Sequence, residues 1–131
     1  MRRVFGSRVR RTLLTVAVAG PFALAPSVAT GMTIVSADGY AKFACDFYAQ
    51  WPDESTLDGM MPEAASQLLE AGAVPLGGYV DCTFRREDGE VFFKSRVHAM
   101  PPAGVIACYT VALSIAAASW LTRPKLWVQR R

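Results

Sequence analysis

Two stretches without a single charged residue, 12–30 and 105–121, bracket every acid in the chain, and that arrangement limits its folds more than any motif does. Apolar runs of this length are buried in a core, held in a membrane, or removed after export. The 131 residues leave room for one compact domain beside such segments, and a hydrophobic share of 52% is too high for a disordered tail. Five bases (Arg2, Arg3, Arg8, Arg10, Arg11) precede Leu13 with no acid among them. All eleven acids lie between Asp38 and Glu90, and with the five bases Lys42, Arg85, Arg86, Lys94 and Arg96 residues 38–100 carry a net charge of −6. The last nine residues add four bases.

The N-terminal block has the layout of a secretory signal, or of an anchor that is never cleaved. Its start is rich in arginine, its apolar core runs from Leu13 to about Ala25, and Ser27 and Ala29 are small residues at the spacing a signal peptidase reads. Pro21 and Pro26 are expected to fit poorly in the middle of a stable spanning helix. Arg2-Arg3-Val4-Phe5 is similar to the twin-arginine export signature, although paired arginines are common in any such region. Cleavage after Ala29 would remove the five leading bases and turn a net charge of +3 into −2. The remaining bases form no continuous face, so nucleic acid is not an expected partner. In an oxidising compartment Cys45, Cys82 and Cys108 permit one disulfide and leave one thiol, and their spacing leaves the pairing open.

Residues 30–61 are weakly patterned and are expected to be an irregular lead-in, with Trp51-Pro52-Asp53-Glu54-Ser55 and Asp58-Gly59 as turn material. Pro62-Glu63 then predicts the start of a short helix closed by Gly72, with Ala65, Leu68 and Leu69 as its buried stripe. Residues 79–86 alternate, placing Val80, Cys82 and Phe84 on one face of a half-buried strand. Asp88-Gly89 suits a tight turn, and residues 91–97 alternate again with Val91, Phe93, Ser95 and Val97 inward. Pro101-Pro102 stops the second strand. The uncharged segment 105–121 then reads in two ways. It has the length of a membrane span, with Arg123, Lys125, Arg130 and Arg131 behind it, and its alanines and serines equally suit a core helix lying close to a sheet.

The order Cys82, a turn with Gly89, a second alternating strand, Pro102-Ala103-Gly104, Ala112-Leu113-Ser114-Ile115-Ala116 and Pro124 resembles the C-terminal domain of TonB-family energy transducer proteins. Trp51-Pro52 and Met61-Pro62-Glu63-Ala64-Ala65 are similar to the tryptophan and first helix start of that family. The resemblance covers residues 51–124 and rests on turn, small and apolar residues in order. It implies an α+β fold, two helices packed on a small, mostly antiparallel sheet in the order α-β-β-α-β, occupying residues 62–131 after a signal or anchor at 1–29 and the lead-in at 30–61. It also implies a periplasmic module that binds a peptide segment of an outer-membrane receptor by adding it to a sheet edge, with inner-membrane association through residues 12–30 if these are not cleaved. Leu126, Trp127 and Val128 are the edge that the resemblance assigns to the partner. The chain departs from the family pattern in several places. Ser95 stands where a second family cysteine would face Cys82, the final strand is cut short, and the residues between Ala29 and Pro62 hold Pro52 as their single proline, too little for a stiff spacer. A direct link to a proton-driven motor is therefore not expected.

No enzyme is expected. His98 is the sole histidine, no cysteine pair has the C-x-x-C spacing, and neither a nucleophile elbow nor a glycine-rich phosphate loop occurs, so no catalytic residue, metal, cofactor or small-molecule substrate is predicted. Asp53-Glu54 and Glu87-Asp88 are adjacent carboxylates of the kind found in solvated turns. The alternative to the TonB-like module is a small membrane protein with spans near residues 12–30 and 104–121 and an acidic loop outside.

Overall fold

The alternation in residues 79–97 sets the centre of the fold. The computed structural model describes residues 2–57 and 59–122, and its elements are α1 (Arg2–Ser36), α2 (Ala41–Tyr48), α3 (Pro62–Gln67), β1 (Leu69–Val74), β2 (Tyr79–Arg85), β3 (Val91–His98) and α4 (Pro102–Leu121). The three strands form one antiparallel sheet in the order β1-β2-β3. The fold class is α+β, as expected. The chain divides into two compact units, one of residues 25–105 and the other of described residues 2–24 and 106–122.

In the first unit the hairpin follows its pattern. Val80, Cys82 and Phe84 are buried along β2 while Tyr79, Asp81, Thr83 and Arg85 are half-buried. In β3 the inward residue Val97 is buried and Phe93 and Ser95 are half-buried, whereas Val91 is left exposed where the register shifts beside Phe84 and Arg85. Gly89 alone takes the positive φ of the turn, at 88°. Asp88 contributes its side chain instead, accepting the Glu90 N–H at 2.9 Å. Arg86 and Glu90 close the loop main chain to main chain at 2.8 Å.

The helix predicted from Pro62 to Gly72 ends early. It stops at Gln67, and Leu69–Val74 forms β1 paired with residues 79–84 of β2, Leu69 opposite Phe84 and Ala71 opposite Cys82. Leu69 fits both readings, because a residue that would end a helical stripe also starts the inward face of a strand. Pairing with β2 satisfies six residues of main chain and overrides a weak helical pattern. Gly72 therefore lies inside a strand.

Residues 30–61 are not irregular throughout. The first helix runs to Ser36 and α2 follows after a reversal in which Asp38 and Gly39 adopt φ of 58° and 83°. Ala44 and Cys45 of α2 are buried against the sheet, and Cys45 joins the buried cluster of Leu69, Val80, Cys82, Phe84 and Val97. Trp51 adds to the same core, its ring 5.4 Å from that of Phe84 in an edge-on contact. Cys45 and Cys82 are joined by a disulfide across 37 positions of sequence, and Cys108 is left as the thiol. Cys82, opposite Ser95 in the β2–β3 register, thus finds its sulfur partner on α2.

Two further expectations are corrected. α1 continues through Pro21 and Pro26, because each proline removes a single main-chain donor from a 35-residue helix whose other turns hold. Pro26 is itself buried, and its carbonyl accepts from Thr30 Oγ1 at 2.9 Å. Within the first unit, the helix that packs on the sheet is α2, which lies in the expected irregular lead-in. The physical reason is that α2 buries its small residues Ala44 and Cys45 against the sheet while leaving its aromatic residues exposed. From Pro62 the described order is α3-β1-β2-β3-α4, one strand more than expected between the two helices, and the final strand expected after them lies outside the described residues.

Candidate functional site

Three surfaces remain once the core is accounted for: the two apolar helices, the open edge of the sheet, and the outer face of α2.

In the second unit, Leu13, Leu14, Val16 and Val18 of α1 and Ile106, Leu113, Trp120 and Leu121 of α4 are exposed. Only 6% of the most apolar stretch of α1 and 11% of that of α4 is buried, so neither helix behaves as the core helix of a globular domain. Among the described residues these are the two helices long and apolar enough to cross a membrane. What burial they have recurs along one side of each. On α1 it falls at Thr15, Ala19, Gly20 and Ala23, and on α4 at Cys108, Tyr109, Ala112, Ile115 and Ser119. These sides meet where the Thr15 and Ser119 hydroxyls hydrogen-bond to each other. Small residues with a hydroxyl bridge form the seam that brings two helices close in lipid. In sequence, Thr15 stands four residues after Arg11 and Ser119 four residues before Arg123.

In the first unit, β3 is an edge strand and no described strand pairs with its outer side. An open groove of about 520 Å³ runs over β2 and β3, lined by Gln50, Asp81, Thr83, Lys94, Arg96 and His98 among others. Its one fixed feature is ionic. Arg96 donates to Asp81 at 2.8 Å and its guanidinium sits 4.6 Å over the Tyr79 ring. The Asp81 hydrogen bond, then the charges of Tyr79 and Asp81, raise the Arg96 pKa above the ordinary arginine value. Both partners are more than one-third exposed, so the pair shapes the surface more than it stabilises the fold. Arg85 and Glu70 make a second such pair at 2.7 Å across β2 and β1.

His98 ends β3 as an exposed residue whose ring lies 5.9 Å from that of Tyr79. Among the described residues no group of three His, Cys, Asp or Glu side chains could hold a metal ion. Asp53 and Glu54, and Glu87 and Asp88, are exposed in turns. The sequence-assigned edge, Leu126, Trp127 and Val128, lies outside the described residues. The surface that sequence reasoning missed is α2, though a signal was present. Tyr40, Phe43 and Phe47 recur at i, i+3 and i+7, with Cys45 turned away from them, a helical period obscured by the absence of a capping residue. Comparison with protein-family models, with curated proteins and with solved structures finds no match.

Proposed function

We propose that this chain is a two-span membrane protein that holds a disulfide-stapled α+β domain on the outer face of the membrane, where the domain acts as a protein-binding module. The observation that carries this reading is α4, a 20-residue helix with no charge and with Ile106, Leu113, Trp120 and Leu121 exposed. At 1.5 Å per residue such a helix is about 30 Å long, the thickness of a bilayer core. Exposed in water, its leucines and tryptophan would be a heavy liability; exposed to lipid they are in their preferred solvent.

Three further features support the same topology. Basic residues flank the outer ends of both apolar stretches and the acids lie between them, so the positive-inside rule keeps both termini in the cytoplasm and sends residues 38–100 outside. The Cys45–Cys82 disulfide suits an oxidising compartment on that side. The Thr15–Ser119 contact joins the helices at equal sequence distances from their basic flanks.

Alkaline carbonate extraction of the full chain, expressed in a bacterium with two membranes, tests the reading. The protein stays in the membrane fraction with its N-terminal residues intact. Recovery as a soluble species starting near Thr30 would overturn it.

For the binding role, the TonB-like resemblance adds a mode, strand addition, and two observations favour it. Cys82 stands opposite Ser95, the register that the resemblance implied, and no described strand pairs with the outer side of β3. Main-chain hydrogen bonds from an added strand would supply affinity, and the groove beside Lys94 and Arg96 would supply choice. A photoreactive residue placed at Phe92 would then crosslink to an extended receptor peptide. A well-folded protein that yields no such product removes this mode and leaves the membrane topology standing.

A further inference from the structure

Tyr40, Phe43, Phe47 and Tyr48 are 68%, 40%, 67% and 55% exposed, four aromatic rings on one eight-residue helix and the residue before it. Tyr40 and Phe43 meet edge-on at 5.7 Å, and Phe47 and Tyr48 at 6.3 Å, so the rings form two adjoining pairs rather than isolated side chains. Scattered exposed apolar residues are ordinary, whereas a clustered aromatic face marks a contact.

From this we infer that α2 lies in the headgroup interface of the outer leaflet, with these four rings inserted and the sheet domain thereby held against the membrane; the inference rests on the two-span reading.

Three observations select lipid as the occupant. First, α2 begins directly after α1. Ala37–Tyr40 is all that separates them, and four residues span at most about 14 Å. The Ala37 and Gly39 amides both return to the Ile34 carbonyl at 3.0 Å, which makes the link a tight reversal rather than a tether. Second, α1 itself keeps an apolar outer stripe to its last turn. Val28, Met32 and Val35 are exposed while Pro26, Thr30 and Ala37 are buried, so exposed apolar side chains continue along α1 to within five residues of Tyr40. Third, the opposite side of α2 is not available to turn inward. Cys45, turned away from Phe43 and Phe47, is bonded to Cys82 in the central strand, which holds those rings outward.

The chemistry of the rings agrees. Tyrosine presents an apolar body and a polar tip, and aromatic residues concentrate at the level of the lipid headgroups. Lys42, exposed on the same helix, has a stem long enough to lie along the interface with its ammonium among the phosphates.

The test uses the full chain reconstituted in phosphatidylcholine vesicles, with Phe47→Trp as the α2 reporter and the unsubstituted protein subtracted to remove its own tryptophans. Lipids brominated near the glycerol end of the acyl chain quench the added emission strongly, and lipids brominated near the chain terminus quench it less. Tyr40→Trp repeats the measurement at the other end of the face, and Val16→Trp in α1 reports the span itself through terminally brominated lipid. Loss of the α2 reporter's emission to the shallow bromines supports the inference. An unquenched α2 reporter beside a quenched span reporter overturns it and leaves the two spans intact, and a blue-shifted but unquenched α2 reporter does so by revealing a protein partner or a second copy on the face. If neither reporter is quenched, the two-span reading fails and takes the inference with it.

Discussion

Replacing both bridging cysteines, in the variant C45A/C82A, should loosen the sheet domain by an amount the structure allows to be worked out. The disulfide joins α2 to the central strand and closes a loop with a sequence separation of 37 that contains α3 and β1. In the chain-entropy description, a crosslink over that separation removes about 4 kcal/mol of unfolded-state freedom at 25 °C. Alanine keeps both positions apolar, so no new buried polar group is introduced, and the small loss of packing acts in the same direction. Since domains of this size are stable by roughly 5–15 kcal/mol, the variant should still fold. Its sheet should open far more often. Hydrogen exchange of peptides from residues 79–98, measured by mass spectrometry on the reconstituted protein, reads that opening directly. We expect protection to fall by between two and three powers of ten, which is what about 4 kcal/mol implies. A fall of less than about tenfold would refute the reasoning, because it would mean that α2 and the hairpin are held together without the crosslink.

The other predictions concern single residues. Phe84→Ala removes a fully buried ring that touches Trp51, Phe92 and Phe93, and should cost about 3–5 kcal/mol in a denaturant titration. Gly78 has φ of 70°, and a Cβ there would sit 3.0 Å from Val105 and 3.4 Å from Met100, so Gly78→Ala should lower the melting temperature. Gly89→Ala, at φ of 88° but in open space, should lower it less, each carrying about 1–2 kcal/mol of left-handed backbone cost. Arg96 has a raised pKa, so what its charge contributes is fully present below the unfolded value and is lost only as pH rises through the still higher folded value. Melting should therefore show no step from deprotonation of Arg96 across the neutral range, and Asp81→Asn should shift the melting temperature little because the pair is exposed.

How much of this was legible in the sequence depends on which residues set each element. The hairpin was readable because Val80, Cys82, Phe84 and Val97 alternate with polar neighbours, and period two has no competing interpretation when a turn residue such as Gly89 separates the runs. β1 was not readable, since Leu69-Glu70-Ala71-Gly72-Ala73 is short, poor in β-branched residues and preceded by a sound helix start at Pro62. Only its partner strand decides its conformation. α2 was hidden for a different reason: it has no capping side chain, and its cysteine draws its meaning from a strand far along the sequence. Segment 105–121 was legible as a helix but not in its surroundings. Hydropathy gives the same signal for a core helix and a span, and the exposure of Leu113 and Trp120 in the structure is what supports the proposed span. Of the candidate surfaces, the basic flanks were plain in the charge pattern, while the Thr15–Ser119 seam required the fold to bring together residues 104 positions apart.

Membrane topology is the most direct test of the central claim. Fusing a fluorescent protein that matures only in the cytoplasm, and separately a phosphatase active only outside it, after Arg131 and into the hairpin turn at Asp88, reads the two sides independently. Both termini inside and the sheet domain outside predict fluorescence without phosphatase activity at Arg131, and phosphatase activity without fluorescence at Asp88. Phosphatase activity at Arg131 would contradict the account, since residues 106–121 would then not return the chain across the membrane.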